Sequence, residues 1–159
     1  MHVYVLRHGE AGDAVPGKDD SRRPLTTIGI ARMAQQAETL RRMRIPVDVL
    51  LSSPFLRARQ TADSIAKAFG VQVEEDRRLQ PGATPDVIAA VLNDYRDSKH
   101  VWITGHEPDL STFVGVTIGG GIIQMRKGSL ACIKIEGLRP LRGTLQWLAT
   151  PELMGATEQ

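Results

Sequence analysis

The chain has 159 residues, and it contains one cysteine, two tryptophans, two tyrosines and three phenylalanines. A lone cysteine excludes an internal disulfide and a cysteine-rich metal motif. So few aromatic rings argue against a stacking platform for single-stranded nucleic acid. The sequence has no apolar run long enough to cross a bilayer and no signal-peptide pattern, so we expect a cytoplasmic protein without a membrane partner.

The sequence also has little excess of positive over negative charge. Twenty Lys and Arg against 18 Asp and Glu leave a net charge of +2, which is too small to indicate nucleic-acid binding and is compatible with an anionic substrate. The apolar and charged shares are ordinary for a globular protein. We predict one domain over residues 1–159, with a loosely held tail after residue 151.

Strand and helix patterns alternate along the chain. Strands are predicted at residues 2–7, 48–51, 71–74 and 100–104, and helices at 26–44, 53–69, 84–97 and from 107 onward. Residues 130–136 and 143–149 are predicted to form a closing antiparallel pair. The fold class is therefore α/β: a three-layer sandwich with a mainly parallel central sheet, helices on both faces, an antiparallel C-terminal edge and no cap domain.

The stretch Arg7-His8-Gly9-Glu10 follows the first predicted strand. An arginine can bind phosphoryl oxygens in a fork, a histidine can attack phosphorus, and a glycine lets the backbone approach closely. Residues 52–54 and 105–108 follow two other strands. Because the carboxyl ends of parallel strands share one sheet edge, these three segments should converge.

Two further candidates come from those segments. Arg57 lies in the first predicted turn of the second helix, where the helix N-terminus already favours an anion. Arg59 is about 200° further around that helix and should face elsewhere. His106 opens the fourth helix and completes the set, whereas His2 and His100 start strands and are interpreted as structural.

Zinc is the alternative explanation for two convergent histidines. The sequence offers no third ligand at a suitable spacing, and the neighbouring arginines would repel a cation. We therefore predict a site without metal or cofactor, in which arginines provide the positive charge. Cys132, inside a predicted strand, is expected to be a buried apolar residue and not a nucleophile.

At this point the chain resembles the histidine phosphatase (phosphoglycerate mutase-like) superfamily, and most closely its short SixA-type phosphohistidine phosphatases. The resemblance covers residues 3–150. Four motifs carry it in order: Arg7-His8-Gly9-Glu10, Leu25-Thr26-x-x-Gly29, Ser53-Pro54-x-x-Arg57-Ala58-x-Gln60-Thr61 and Gly105-His106-Glu107. Two shorter matches, Arg23-Pro24-Leu25-Thr26 and Lys127-Gly128-Ser129, point to the SixA type.

The resemblance implies a role for each matching residue. His8 would be the nucleophile that becomes phosphorylated, Arg7 and Arg57 would bind the phosphoryl oxygens, and His106 would complete the catalytic pocket. Gly9 would let the backbone contact the substrate. Arg23 would either contact phosphate or form a surface salt bridge with Asp19 or Asp20.

One departure from the family pattern limits the class of substrate that we expect. Larger members carry a glutamate general acid shortly after the third strand, and here residues 78–83 contain no carboxylate. An alkoxide leaving group needs a proton, whereas an imidazole needs less help. The prediction is a phosphohistidine phosphatase whose partner is a histidine-phosphotransfer domain or a phosphocarrier protein. A small-molecule phosphomonoesterase and a non-catalytic phosphoprotein-binding module remain as alternatives, and Glu10, Asp19 and Asp20 remain as proton donors or as structural groups.

Overall fold

The structure is a computed structural model that describes residues 1–156. Within that range the chain forms a six-stranded sheet and four α-helices. The strands are β1 (His2–Arg7), β2 (Val49–Ser52), β3 (Val73–Glu75), β4 (His100–Gly105), β5 (Leu130–Leu138) and β6 (Leu141–Ala149). The helices are α1 (Thr27–Arg42), α2 (Leu56–Phe69), α3 (Pro85–Asp94) and α4 (Asp109–Thr117).

The strand order in the sheet is β3-β2-β4-β1-β5-β6. Strands β1 to β4 pair in parallel, while β5 runs antiparallel to both β1 and β6. The predicted fold class is confirmed, including the antiparallel C-terminal edge. In this order β1 lies between β4 and β5, so loops from all three strands meet at the carboxyl end of β1.

Two apolar cores cover the two faces of the sheet. Helices α1 and α2 pack on one face with Met33, Leu40 and Ile65, and α3 and α4 pack on the other with Leu92 and Phe113. These side chains are essentially inaccessible to water. Cys132 is buried in the first of these cores, as predicted. Burial on both faces of the sheet gives the strand ends the rigid support that a site needs.

Three helix ends carry residues that typically cap helices. Thr26 accepts a hydrogen bond from the Gly29 N–H at 2.9 Å, and Thr84 caps α3 in the same way. Gly70 ends α2 in the left-handed region at φ 69°. Helix α4 begins at Asp109, after Pro108, without a side-chain cap.

A serine followed by a proline is typical of a helix N-cap and first helical residue, so the sequence predicts Ser53 as the N-cap of α2. That prediction is wrong. Helix α2 begins at Leu56 and its N-cap is Phe55, with no side-chain cap. The Ser53 hydroxyl instead accepts a hydrogen bond from the Phe55 N–H at 3.2 Å, within the turn before the helix. Ser53 is thereby free to contact the neighbouring loop from β4.

Gly29 brings the start of α1 against the loop that follows β1. A Cβ at this position would lie 2.2 Å from the backbone oxygen of Glu10, a distance that no side chain can adopt. The same Glu10 oxygen accepts a hydrogen bond from the Thr26 N–H at 2.9 Å. This contact explains why the Leu-Thr-x-x-Gly motif accompanies the Arg-His-Gly-Glu motif.

The segment after β6 contains a short turn. A short 3₁₀ turn at Glu152–Met154 follows β6, and both Met154 and Ala156 are buried. That the tail after residue 151 is loosely held stays a prediction, and residues 157–159 lie outside the described part. None of the described helices is both long and apolar enough to cross a membrane.

Candidate active site

His8 and His106 meet at the carboxyl ends of β1 and β4. Their ring centroids are 5.4 Å apart. The backbone N–H of His8 donates to the Gly105 oxygen at 3.1 Å, which continues the β1–β4 ladder by one residue. The predicted convergence of the two loops is therefore present.

The His8 ring is held in one orientation. Its Nδ1 lies 2.8 Å from the Gly9 backbone oxygen, and because a carbonyl can only accept, Nδ1 carries the proton. The lone pair of the neutral ring is then on Nε2. Burial lowers the pKa of His8 to about 4, and the charges of Arg57 and Arg7 lower it as well. His8 is consequently neutral near pH 7.

Gly9 and Thr61 connect the His8 loop to α2. The Gly9 N–H donates to the Thr61 hydroxyl at 3.0 Å, and that hydroxyl donates to the Arg57 backbone oxygen at 2.7 Å. A Cβ on Gly9 would lie 2.8 Å from Cγ of Met33. The glycine therefore permits close packing, and the threonine fixes His8 relative to Arg57.

Arg57 is 4% exposed, although it carries a full charge. Its Nη1 donates to the Asp20 backbone oxygen at 2.9 Å, and its Nη2 donates to Oδ2 of Asp20 at 3.0 Å. Its guanidinium lies 5.0 Å from the centroid of the Phe55 ring. Its Nε has no partner within residues 1–156. Asp20 thus occupies the end of the guanidinium and leaves the Nε side available to a ligand.

Arg7 follows the same pattern. Its Nη1 donates to the Met125 backbone oxygen at 2.6 Å, and its buried Nε is unpaired within the described chain. Burial lowers the pKa of both Arg7 and Arg57, but a guanidinium stays charged in a protein. Each arginine is therefore fixed at one end and can bind an anion in a fork along its other edge.

His106 is oriented by two neighbours. Its Nε2 lies 2.8 Å from the Ser53 hydroxyl, and Phe55 packs edge-on at 5.2 Å between ring centroids. Burial, followed by the charge of Arg57, lowers the pKa of His106 to about 3. The second ring nitrogen, Nδ1, is buried without a partner in the described region. His106 therefore contributes a neutral ring with one unused nitrogen.

Arg23 forms one of the two contacts considered for it, the salt bridge. Its Nε lies 2.7 Å from Oδ1 of Asp20, and it also donates to the Gly12 backbone oxygen. Its charge lowers the pKa of both His8 and His106, so it lies near the site. A direct phosphate contact by Arg23 stays a prediction.

The sequence analysis considered Asp20 as a salt-bridge partner of Arg23 but missed its contact with Arg57. Its carboxylate contacts Arg23 and Arg57, and the hydrogen bond from Arg23 is the main reason that its pKa is lowered. An ionised carboxylate held by two arginines is a poor proton donor. The only sequence signal was the three-residue spacing from Asp20 to Arg23.

Buried polar atoms without partners concentrate around the two histidines. In residues 1–156 they are Arg7 Nε, Arg57 Nε, His106 Nδ1, Thr104 Oγ1 and Ser129 Oγ. Thr104 precedes the His106 loop, and the Ser129 backbone oxygen accepts from the Arg7 N–H at 3.0 Å. Such groups are rare in folded proteins because leaving them unpaired costs free energy. Their clustering is the property expected of a site for a polar ligand.

The remaining candidates lie elsewhere. Arg59 forms surface ion pairs with Asp63 and Glu75, each at 2.8 Å. The His2 and His100 rings stack at 5.6 Å at the amino ends of their strands, opposite the site. Glu10 pairs with Arg32 at 3.0 Å. No group of three His, Cys, Asp or Glu side chains in the described residues is arranged to hold a metal ion.

The comparison with protein families identifies this arrangement. Residues 3–108, which include His8, Arg57 and His106, match the histidine phosphatase superfamily (branch 1). The chain belongs to the histidine phosphatase superfamily. The sequence resemblance is therefore confirmed over most of the chain.

Individual relatives narrow the placement within the superfamily. The chain is 34% identical to the phosphohistidine phosphatase SixA of Escherichia coli K12, over 95% of this chain and 94% of that protein. A solved structure of the protein histidine phosphatase SixA complexed with tungstate matches with a TM-score of 0.84 and 26% identity, covering 95% of this chain and 97% of that one. A putative SixA from Agrobacterium tumefaciens has the same fold, with a TM-score of 0.82, 24% identity and coverage of 94% and 98%.

Proposed function

We propose that this protein is a metal-independent phosphatase that removes phosphate from phosphohistidine on a partner protein, through a phosphorylated His8. The main support is the neutral, buried His8, whose Nε2 lone pair is free while its Nδ1–H is held by the Gly9 oxygen. Arg7 and Arg57, each with a buried Nε that has no partner in residues 1–156, would supply two forked cation contacts beside it. The names of the SixA relatives support the same substrate class.

In the first step, Nε2 of His8 attacks the phosphorus atom of the substrate. A phosphorus–nitrogen bond forms on His8 as the bond to the substrate's imidazole breaks. That imidazole, already protonated from solvent on its other ring nitrogen, leaves with the electron pair as a neutral ring. Negative charge spreads over the equatorial oxygens, where Arg7 and Arg57 stabilise it. The Nδ1–H of His8 keeps its bond to Gly9 while the ring becomes positively charged.

His106 contributes a hydrogen-bond donor in this proposal. The Ser53 hydroxyl accepts from the Phe55 N–H, and the acceptor within its reach is His106 Nε2. If the hydroxyl donates there, the His106 proton is on Nδ1. A neutral Nδ1–H can then donate to a phosphoryl oxygen without adding a third positive charge.

In the second step, water attacks the phosphorus and releases orthophosphate. His8 leaves through Nε2 as a neutral imidazole, because Nδ1 has kept its proton throughout. The proton lost by the water remains on the phosphate. Neither half-reaction needs a strong general acid when both leaving groups are imidazoles, which agrees with the absence of a carboxylate in residues 78–83.

A protein substrate fits the surroundings of the site. The connection between β3 and α3, residues 76–84, contains only a single turn of 3₁₀ helix at Arg77–Leu79, so no cap domain is inserted there. The solved SixA relative is named a protein histidine phosphatase and holds tungstate, a tetrahedral oxyanion like phosphate. We extend both properties to this chain as part of the proposal.

The deciding experiment mixes the protein with a ³²P-phosphohistidine protein and quenches the reaction early. We expect transient labelling of the wild type with phosphate that is acid-labile and alkali-stable. His8→Gln should abolish labelling and turnover, while His100→Gln, a histidine change outside the site, should retain both. Equal labelling of the His8→Gln variant would contradict the mechanism.

Two further arms address the alternatives. A chelator should leave turnover unchanged, and a loss of turnover would contradict the metal-free reaction. Comparable kcat/KM values on sugar phosphates would instead favour a small-molecule phosphomonoesterase. Phosphoprotein binding without any turnover would favour the binding module.

A further inference from the structure

Asp20 contacts two of the candidate phosphate-binding arginines, Arg57 and Arg23. Its Oδ2 lies 3.0 Å from Nη2 of Arg57, and its Oδ1 lies 2.7 Å from Nε of Arg23. The Asp20 backbone oxygen makes a third contact, with Nη1 of Arg57. One residue therefore holds two cations through three acceptor atoms.

The two partners of the Asp20–Arg57 ion pair differ in their exposure to solvent, and this difference affects anion binding. Arg57 is buried, whereas the Asp20 side chain is 42% exposed and borders a cavity of about 650 Å³ formed by residues 12–26. A buried guanidinium needs a counter-charge, and a bound phosphoryl group would supply a second one. The Asp20 carboxylate and the phosphoryl group then repel each other while they share the same cation.

We propose that Asp20 is a positioning residue that fixes the edge of Arg57 offered to the substrate, and that its charge limits how tightly the site retains orthophosphate. The contacts that carry this are the three acceptor atoms of Asp20 on Arg57 and Arg23 together with the unpaired Nε of Arg57. The proposal rests on the proposed function only in taking phosphate as the product.

Asp20→Asn separates charge from shape. Asparagine is nearly isosteric with aspartate, and the backbone contact to Nη1 of Arg57 is unchanged. With the carboxylate removed, bound phosphate becomes the main counter-charge of Arg57. We expect orthophosphate and tungstate to bind about tenfold more tightly, which is about 1.4 kcal/mol. If product release limits turnover, kcat and KM should fall together.

Asp19→Asn is the matched control. Asp19 carries the same charge one residue earlier, but among residues 1–156 its carboxylate accepts hydrogen bonds only from Ser21. Asparagine caps a helix as well as aspartate does, so the local turn should persist. Titration calorimetry with each anion, and the temperature of unfolding of each apo variant, would compare the three proteins.

Tighter anion binding in the Asp20→Asn variant alone supports the proposal. Unchanged or weaker binding overturns it, because a purely structural Asp20 would lose affinity when its contacts weaken. Equal tightening in the Asp19→Asn variant also overturns it, since the effect would then be one of net charge. Anion binding does not require turnover, so failure of the phosphohistidine assay would leave this result independent.

Discussion

The neutral state of His8 should make folding sensitive to acid. Burial and two arginines lower the pKa of His8 from 6.5 to about 4. Between these two pKa values His8 is protonated in the unfolded chain but not in the folded chain. The contribution of His8 to the free energy of unfolding is therefore fully present above pH 6.5 and is lost as the pH falls toward 4. A tenfold change in a protonation constant is worth about 1.4 kcal/mol, so by pH 5 His8 alone should cost about 2 kcal/mol.

The comparison of wild type with His8→Gln isolates this contribution. Glutamine does not titrate, so the variant should lose about 2 kcal/mol less between pH 7 and pH 5 than the wild type. Urea unfolding in phosphate-free buffers at half-unit steps of pH measures the free energy of unfolding of each protein. Above pH 7 the two curves should run parallel. Parallel curves down to pH 5 would refute the reasoning, because His8 would then titrate equally in the folded and unfolded chains.

Two other predictions concern the backbone and the arginines. Gly29→Ala should destabilise the fold by about 1–3 kcal/mol in urea unfolding, because its Cβ would collide with the Glu10 oxygen, whereas Gly12→Ala, with no atom within 4 Å of a Cβ, should cost far less. Arg57→Lys should lower kcat about 10²–10³-fold on phosphohistidine protein, because lysine cannot contact Asp20 and phosphate in a fork, whereas Arg59→Lys should stay near wild type. Equal destabilisation by the two glycine variants would contradict the close approach at Gly29. Equal loss of kcat in the two arginine variants would contradict the phosphate contact proposed for Arg57.

The convergence of the site could be predicted because it depends on simple geometry. His8 and His106 follow β1 and β4, whose carboxyl ends share a sheet edge. Arg57 lies in the first turn of α2, the helix that follows β2 at the same edge. Helical angle alone separates Arg57 from Arg59, and the structure places Arg59 in surface ion pairs. These inferences required only the order of the elements and the period of a helix.

The partners of the catalytic candidates could not be predicted in the same way. Asp20 begins a short 3₁₀ turn, Asp20–Arg22, in a segment without hydrophobic periodicity, so nothing in the sequence fixes its distance from Arg57. Met125 reaches Arg7 only because β5 pairs with β1, and the strand order is not encoded in local pattern. Ser53 fits an N-cap by composition, but contact with His106 decides its position instead.

Arg7 and Arg57 connect binding to the protonation state of the nucleophile. In the proposed mechanism their charges bind the phosphoryl group, and the same charges help to keep His8 unprotonated in the free protein. A bound dianion offsets those charges, so it must raise the pKa of His8 relative to the free site. By linkage, protonation of His8 must strengthen the binding of phosphate to the same extent. The free protein is therefore held in its nucleophilic form, and the product-bound protein is the state that acid favours.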